Sequence, residues 1–467
     1  MPVSTRDSLV SLRLMGGWSS DAGPSATSVT DGSQGIIQVP WLVDAENVVY
    51  MLDGWFRKMP GAARTNTDLI GSASDQVRAM IDYWRSTTSG NPVQRIVVSA
   101  GTQIWSSSDF GASYTSLTTG LENNTPASFT VFRDTLIWAS TSTVDVPQSW
   151  DGIAATTSNL GGSPPNFAFC AEYKDRLWAS GVDSAKSRVY YTVLGSASDW
   201  TGSGSGSIDI APDDGDTVTG LRNWKDRLTI FKGPNRGSIH YITGSAPTGS
   251  DAFALHPVLR NVGAVNNQRI IEYADDLYFI DNNGAHSLKA TANYGDYFEQ
   301  YMSRDIADYW IRNLNHAQLA QAAGLAIPPL GLLLWAVPRG TVATNNQTLA
   351  LDLRFQPARW SMMPGLGGLA SFALVKESGV QVPWAGAYNG RTYRLNRDAR
   401  NIENATYTAK VTFPYIGFSD PFIEKALGPI RVSYAPKGDY NFTLGVTRDG
   451  AAQQTASISQ GGGATLG

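Results

Sequence analysis

A single cysteine, Cys170, stands among 467 residues, so neither an intrachain disulfide nor a thiolate zinc site can form. The chain is expected to fold in a reducing compartment, with Cys170 acting as a small buried hydrophobe. Histidine is almost as scarce. His240, His256, His286 and His316 are scattered, with no H-E-x-x-H or H-x-H text, which argues against a compact imidazole metal site. Charged residues reach only 16%, and 36 Lys plus Arg face 40 Asp plus Glu, so no basic surplus is present to draw in phosphate backbones. The longest apolar run, LGLLLWAV at 330–337, is far too short to span a bilayer, and MPVSTRDSLVSLRLMGGWSSD at the start lacks a signal-peptide core. There is no G-x-S-x-G elbow, no G-x-x-x-x-G-K-[ST] loop and no dinucleotide fingerprint. No cofactor is therefore expected.

What is present is the balance of an all-β protein: 42% apolar residues, 47 glycines and 14 tryptophans. One text recurs four times, as FRDTLIWAS, YKDRLWASG, WKDRLTIFKG and YADDLYFIDNNG, with its aspartate at Asp134, Asp175, Asp226 and Asp275. Repeats of about 40 to 50 residues with strand-like content fall in the range of propeller blades. Each copy reads as two strands about a tight turn, and the aspartate side chain is expected to bond backbone amides two residues on, as in an Asx turn. Weaker copies at 94–108, 330–355 and 382–396 bring the count to about seven blades, six being the alternative.

Ser107, Asp109, Gly111 and Tyr114, in SSDFGASY, match the S-x-D-x-G-x-[ST]-aromatic hairpin text of Asp-box propellers, here in a single full copy. The stretch at 295–324 has helical composition and no proline, and reads as a helical insertion. The ends are expected to be an N-terminal arm (1–35) ordered against neighbouring subunits, a β-hairpin (36–75) leading into a propeller (76–400), and a C-terminal β unit with a Gly-rich tail (401–467). The chain ends together make an additional β unit. IAPDDGDTV (210–218) offers Asp213, Asp214 and Asp216 to a hard cation, but without the spacing of a calcium loop a solvated turn is the simpler reading, and no metal residue is assigned.

NVVYMLDGWFRKMPG (47–61), the repeats of YKDRLWASG type and FSDPFIEKALGPIRVSY (418–434) together resemble tail-hub or tail-nozzle proteins of short-tailed bacteriophages, including the packaged-DNA-stabilisation proteins. That resemblance implies a virion structural protein of the phage tail, made in the host cytoplasm. It would form a homo-hexameric ring below portal and adaptor proteins, in contact with tail-tip, needle or fibre proteins. Duplex DNA would pass in transit without tight binding. No catalytic residue is assigned. Two alternatives stay open: a receptor- or glycan-binding propeller or head-closure component, and a sialidase-like glycosidase, for which no carboxylate pair or arginine triad can be picked out from Arg95, Arg188, Arg260 or their neighbours.

Overall fold

The structure is a computed structural model. It describes residues 11–14, 16–21, 25–26, 36–39, 41–52, 54–87, 90, 92–290, 297–397, 401–403, 405–416, 441–447 and 453–458. The chain divides into two units, Met1–Tyr415 and Ile416–Gly467.

The first unit is a seven-bladed β-propeller. Blades 1 to 5 are four-stranded antiparallel sheets whose strands follow in chain order, so hairpin pairing alone builds them, and blades 6 and 7 start the same way before taking strands from elsewhere in the chain. The innermost strands are Val77–Arg85, Ala127–Phe132, Phe169–Tyr173, Thr217–Trp224, Ile271–Tyr273, Ala323–Ile327 and Leu369–Glu377, for blades 1 to 7. Neighbouring inner strands touch, blades 4 and 5 doing so through the 3-10 turn Asn267–Arg269, and the seventh returns to the first, which closes the ring. The four repeats quoted above begin blades 2 to 5, and the three weaker segments fall in blades 1, 6 and 7.

Apolar side chains from facing sheets meet between blades. Leu136, Trp138 and Trp150 join Tyr83 and Val97 between blades 1 and 2, while Trp178, Val189 and Leu228 join Ile230 between blades 3 and 4. Full burial of one such side chain contributes about 1.5–3 kcal/mol, so each interface is a small core in its own right.

Ile416–Gly467 is a unit of its own, but the segments before blade 1 and just after blade 7 are built into the propeller. Gly61–Arg64 is the fourth strand of blade 7, antiparallel to Thr392–Arg397, and Asp44–Glu46 extends blade 6 by a parallel bridge from Met362 to Glu46. Lys410–Thr412 pairs with Asp44–Glu46 in turn, and Asn401–Ile402 joins Gly61–Arg64. The expected hairpin exists as Val48–Tyr50 with Phe56–Lys58, although Asp53 of its turn lies outside the described residues. An inner blade end needs a fourth strand to cover its open edge, and the chain supplies it from far away in sequence.

The arm expected to order against neighbouring subunits is also partly intramolecular. Trp18 is 3% exposed and packs edge-on against Tyr309, while Ser20 Oγ and Asp21 Oδ1 accept from the amides of Tyr309 and Asp308. A lone tryptophan has no periodicity to announce it, yet its indole finds burial over a short helix, α1 (Ala307–Asn313). Helical structure here runs only from Arg304 to Gln321, because Tyr297–Tyr301 is the outer strand of blade 5 and 295–296 lie outside the described residues. In the second unit, Phe442–Val446 pairs with Gln454–Ile458 as a hairpin.

Candidate functional site

The repeat aspartates occupy two-residue hairpin turns, but not as Asx turns. In all four, both central residues have positive φ: Arg133 and Asp134, Lys174 and Asp175, Lys225 and Asp226, Ala274 and Asp275. That is the type I′ pattern, matched to strand twist, and Asp tolerates the left-handed region better than most residues. The carboxylates look sideways instead. Arg133 of blade 2 donates from Nε to Asp175 Oδ1 of blade 3 at 2.8 Å, and Lys174 Nζ of blade 3 donates to both oxygens of Asp226 of blade 4 at 2.7 Å. Backwards, Asp134 Oδ1 accepts from the Ser86 amide of blade 1 at 3.3 Å. Tyr83 Oη and Trp224 Nε1 donate to the turn carbonyls of Asp134 and Asp275 on the next blade. The repeated text thus pins each turn to its neighbour. Asx geometry does occur elsewhere, at Asp151, whose Oδ1 accepts from the amides of Ile153 and Ala154.

The Asp box sits on the ring closure. Ser107 Oγ donates to Asp109 Oδ1 at 2.7 Å and accepts from the Gly111 amide at 2.8 Å, while Asp109 also takes the Ser113 amide and hydroxyl. Burial opposes ionisation of Asp109, but these donors, led by Ser107 and Ser113, together hold its carboxyl below the usual range. Tyr114 Oη lies 3.2 Å from Thr392 Oγ1, and a Cβ on Gly111 would come within 2.7 Å of the Trp384 ring of blade 7.

The three candidate cation ligands do not converge. Lys232 is 0% exposed, and its Nζ donates to Asp214 Oδ1 (2.7 Å), Ile210 O and Ala211 O (both 2.8 Å) and Ser187 Oγ (3.2 Å), so an ammonium fills the oxygen cage. Asp216 accepts instead from the amides of Asn235, Arg236 and Gly237, and Asp213 has a positive φ. Among the described residues no cluster of three His, Cys, Asp or Glu could hold a metal ion. The histidines are likewise dispersed: His240 meets Ser238, His256 meets Thr243, His286 meets Asp281 and His316 meets the Trp310 carbonyl. Cys170 is buried, and desolvation pushes its thiol up to about 12, which leaves no reactive thiolate near neutrality. Arg188 is paired with Asp209 on the outer strands of blade 3.

Sequence reasoning missed the most unusual polar cluster, which lies on the propeller axis. Asn267–Arg269 forms a single 3-10 turn before blade 5. From it Gln268 Nε2 reaches across the ring to the carbonyls of Arg78 in blade 1 and Ala127 in blade 2, both near the starts of their inner strands. The mouth of the axis is thereby bridged by a side chain. Beside it, Arg78 is 5% exposed, donates to Gln321 Oε1 and lies over the Tyr388 ring, with its Nε unpartnered. Arg269 is 0% exposed, and all three guanidinium nitrogens lack a partner among the described residues. Desolvation, then the nearby Arg78 charge, pushes its pKa well below that of a free guanidinium. Arg222 provides the contrast: half-buried, it donates to Asn267 Oδ1, Asn267 O, Ile270 O and Leu221 O. An uncompensated buried charge costs several kcal/mol, so the difference is large. The only sequence signal was an arginine opening a strand in NNQRI, which is too common to single out.

No protein-family model and no curated protein matches this sequence. Solved structures similar to it include a chain of the mitotic checkpoint complex (11% identical, TM-score 0.42, covering 75% of this chain and 99% of that one). YCF48 from Cyanidioschyzon merolae is 10% identical, with a TM-score of 0.42, and covers 72% of this chain and 98% of that one. BamB from Moraxella catarrhalis is 11% identical, with a TM-score of 0.38, covering 75% and 96%. The class is that of a seven-bladed β-propeller, and the strand pairing of the chain itself defines it.

Proposed function

We propose that this propeller is a structural subunit of a phage tail hub or nozzle, assembled as a ring through which DNA leaves. The reading rests on the order of the quoted sequence segments. One structural observation supports a scaffolding role: the propeller's own axis is bridged by Gln268, so the domain acts through its outer surfaces rather than through a central cleft. NVVYMLDGWFRKMPG, the first segment of the resemblance, leads directly into the strand Gly61–Arg64 that closes blade 7, and so it belongs to the closure. A wall with a net charge of −4 per chain exchanges few counterions with DNA, which favours sliding over gripping. Arg312 is already engaged by Asp308, and Arg339 lies over Tyr309, so neither contributes a free basic stripe.

The reading is tested by native mass and by DNA affinity. Six copies of the 50.2 kDa chain give a ring of about 300 kDa in light scattering, with no duplex-DNA shift at physiological salt. A species that stays at 50.2 kDa up to the highest attainable concentration, or that binds DNA with micromolar, salt-sensitive affinity, counts against it.

A further inference from the structure

We infer that the axial mouth of the propeller is a binding site for a small inorganic anion, held by the guanidinium groups of Arg269 and Arg78. Arginine cannot shed its charge by losing a proton, so burial of a guanidinium calls for a counter-charge or a full set of acceptors. Arg269 has neither among the described residues: its Nε and both terminal nitrogens are enclosed and unpartnered. The main charges that act on it are those of Arg78 and Tyr388. Some of the nearby acceptors are already engaged. Gln268 takes the Arg78 and Ala127 carbonyls, and Gln321 Oε1 serves Arg78. Water could meet individual N–H donors, but it could not offset two like charges brought together in the interior. An anion does both.

Arg222, on the inner strand of the preceding blade, shows what this fold does when an arginine is purely structural: it surrounds the fork with carbonyl oxygens. Arg269 is buried without that surround. The enclosure sets the ligand's size. Because Arg269 is 0% exposed and Arg78 5%, even a compact ion such as chloride, sulfate or phosphate enters only as the surrounding side chains give way, and an organic group is excluded. The planar fork matches an oxyanion in particular. The anion would tie blade 1, which carries Arg78, to the connection before blade 5, which carries Arg269, and so brace the ring across its diameter.

The test uses the full chain exchanged into a buffer whose only anion is a bulky organic sulfonate. Sodium phosphate, sulfate or chloride is then added at constant ionic strength while thermal unfolding is followed. In parallel, protein as purified is acid-precipitated and the released anions are measured by ion chromatography. The expected result is a Tm that climbs by several degrees with the logarithm of one anion's concentration, or about one equivalent of a released anion from a site too tight to empty. Arg269→Met should melt higher than wild type in the sulfonate buffer and show no anion dependence. If that variant does not fold, Arg78→Met supplies the comparison, with a weakened dependence. A flat wild-type response together with no stoichiometric anion overturns the inference, as does an Arg269→Met or Arg78→Met protein that keeps the full wild-type anion dependence or releases the same equivalent of anion as wild type.

Discussion

Replacing Lys232 by methionine tests whether an ammonium really stands in for a cation at 210–214. The side chain is fully enclosed, and its Nζ serves two backbone carbonyls, one carboxylate oxygen and one hydroxyl. Methionine has nearly the same length and no donor. The carbonyls of Ile210 and Ala211 lose that donor, at roughly 1–1.5 kcal/mol each, taken from the low end of the 1–3 kcal/mol range for an orphaned buried group. Asp214 is 30% exposed in its side chain, so water can rehydrate it and its share is discounted to about 0.5 kcal/mol. Lys232→Met should therefore cost about 3 kcal/mol in urea unfolding. Asp214→Asn should cost distinctly less, and the double variant less than the sum of the two, because the partners are in contact. Calcium or a chelator should leave the wild-type midpoint unmoved. A cost below about 0.5 kcal/mol for Lys232→Met, against an orphaning cost of 1–3 kcal/mol per group, would refute the cage, and a calcium-dependent midpoint would reinstate the aspartates as ligands.

At the hairpins, Asp226→Ala should destabilise by about 1–2 kcal/mol because a Cβ-bearing alanine is held in the left-handed region, whereas Asp226→Gly and Asp226→Asn should fall within about 0.5 kcal/mol of wild type. Equal losses for all three, shrinking in high salt, would mean that the ion pair with Lys174 dominates. In the Asp box, Gly111→Ala places a methyl against Trp384 at positive φ and should lower the melting temperature more than any of these turn variants. The Asp109 carboxyl is held below its unfolded value, so its contribution is fully present above about pH 4 and is lost as pH falls through the folded value. Asp109→Asn should accordingly lag wild type at pH 7 and converge with it in acid, and a gap that persisted into acid would contradict this. Deleting residues 1–21 should lower the melting temperature of the isolated chain, since Trp18, Ser20 and Asp21 are removed from helix α1; an unchanged temperature with impaired assembly would return the arm to neighbouring subunits.

The propeller was legible in the sequence because its signal is local. A hairpin needs an aspartate or similar residue where φ turns positive, flanked by alternating apolar residues, and FRDTLIWAS and its three companions carry both within nine to twelve residues. Their spacing then sets the period of the blades, and the scarcity of cysteine and histidine bounds the chemistry, because composition does not depend on folding. What joins distant segments was decided only by tertiary structure. Closure of blade 7 by Gly61–Arg64, the landing of Trp18 on Tyr309 and the reach of Arg133 to Asp175 depend on blade-to-blade placement that no short window of sequence encodes. The same holds for the axis: Arg78 and Arg269 are 191 positions apart and meet because a closed ring turns its inner strands toward one line. Whether an arginine is solvated, caged by carbonyls like Arg222 or left facing another charge is a property of its surroundings, and those are assembled only when the last blade meets the first.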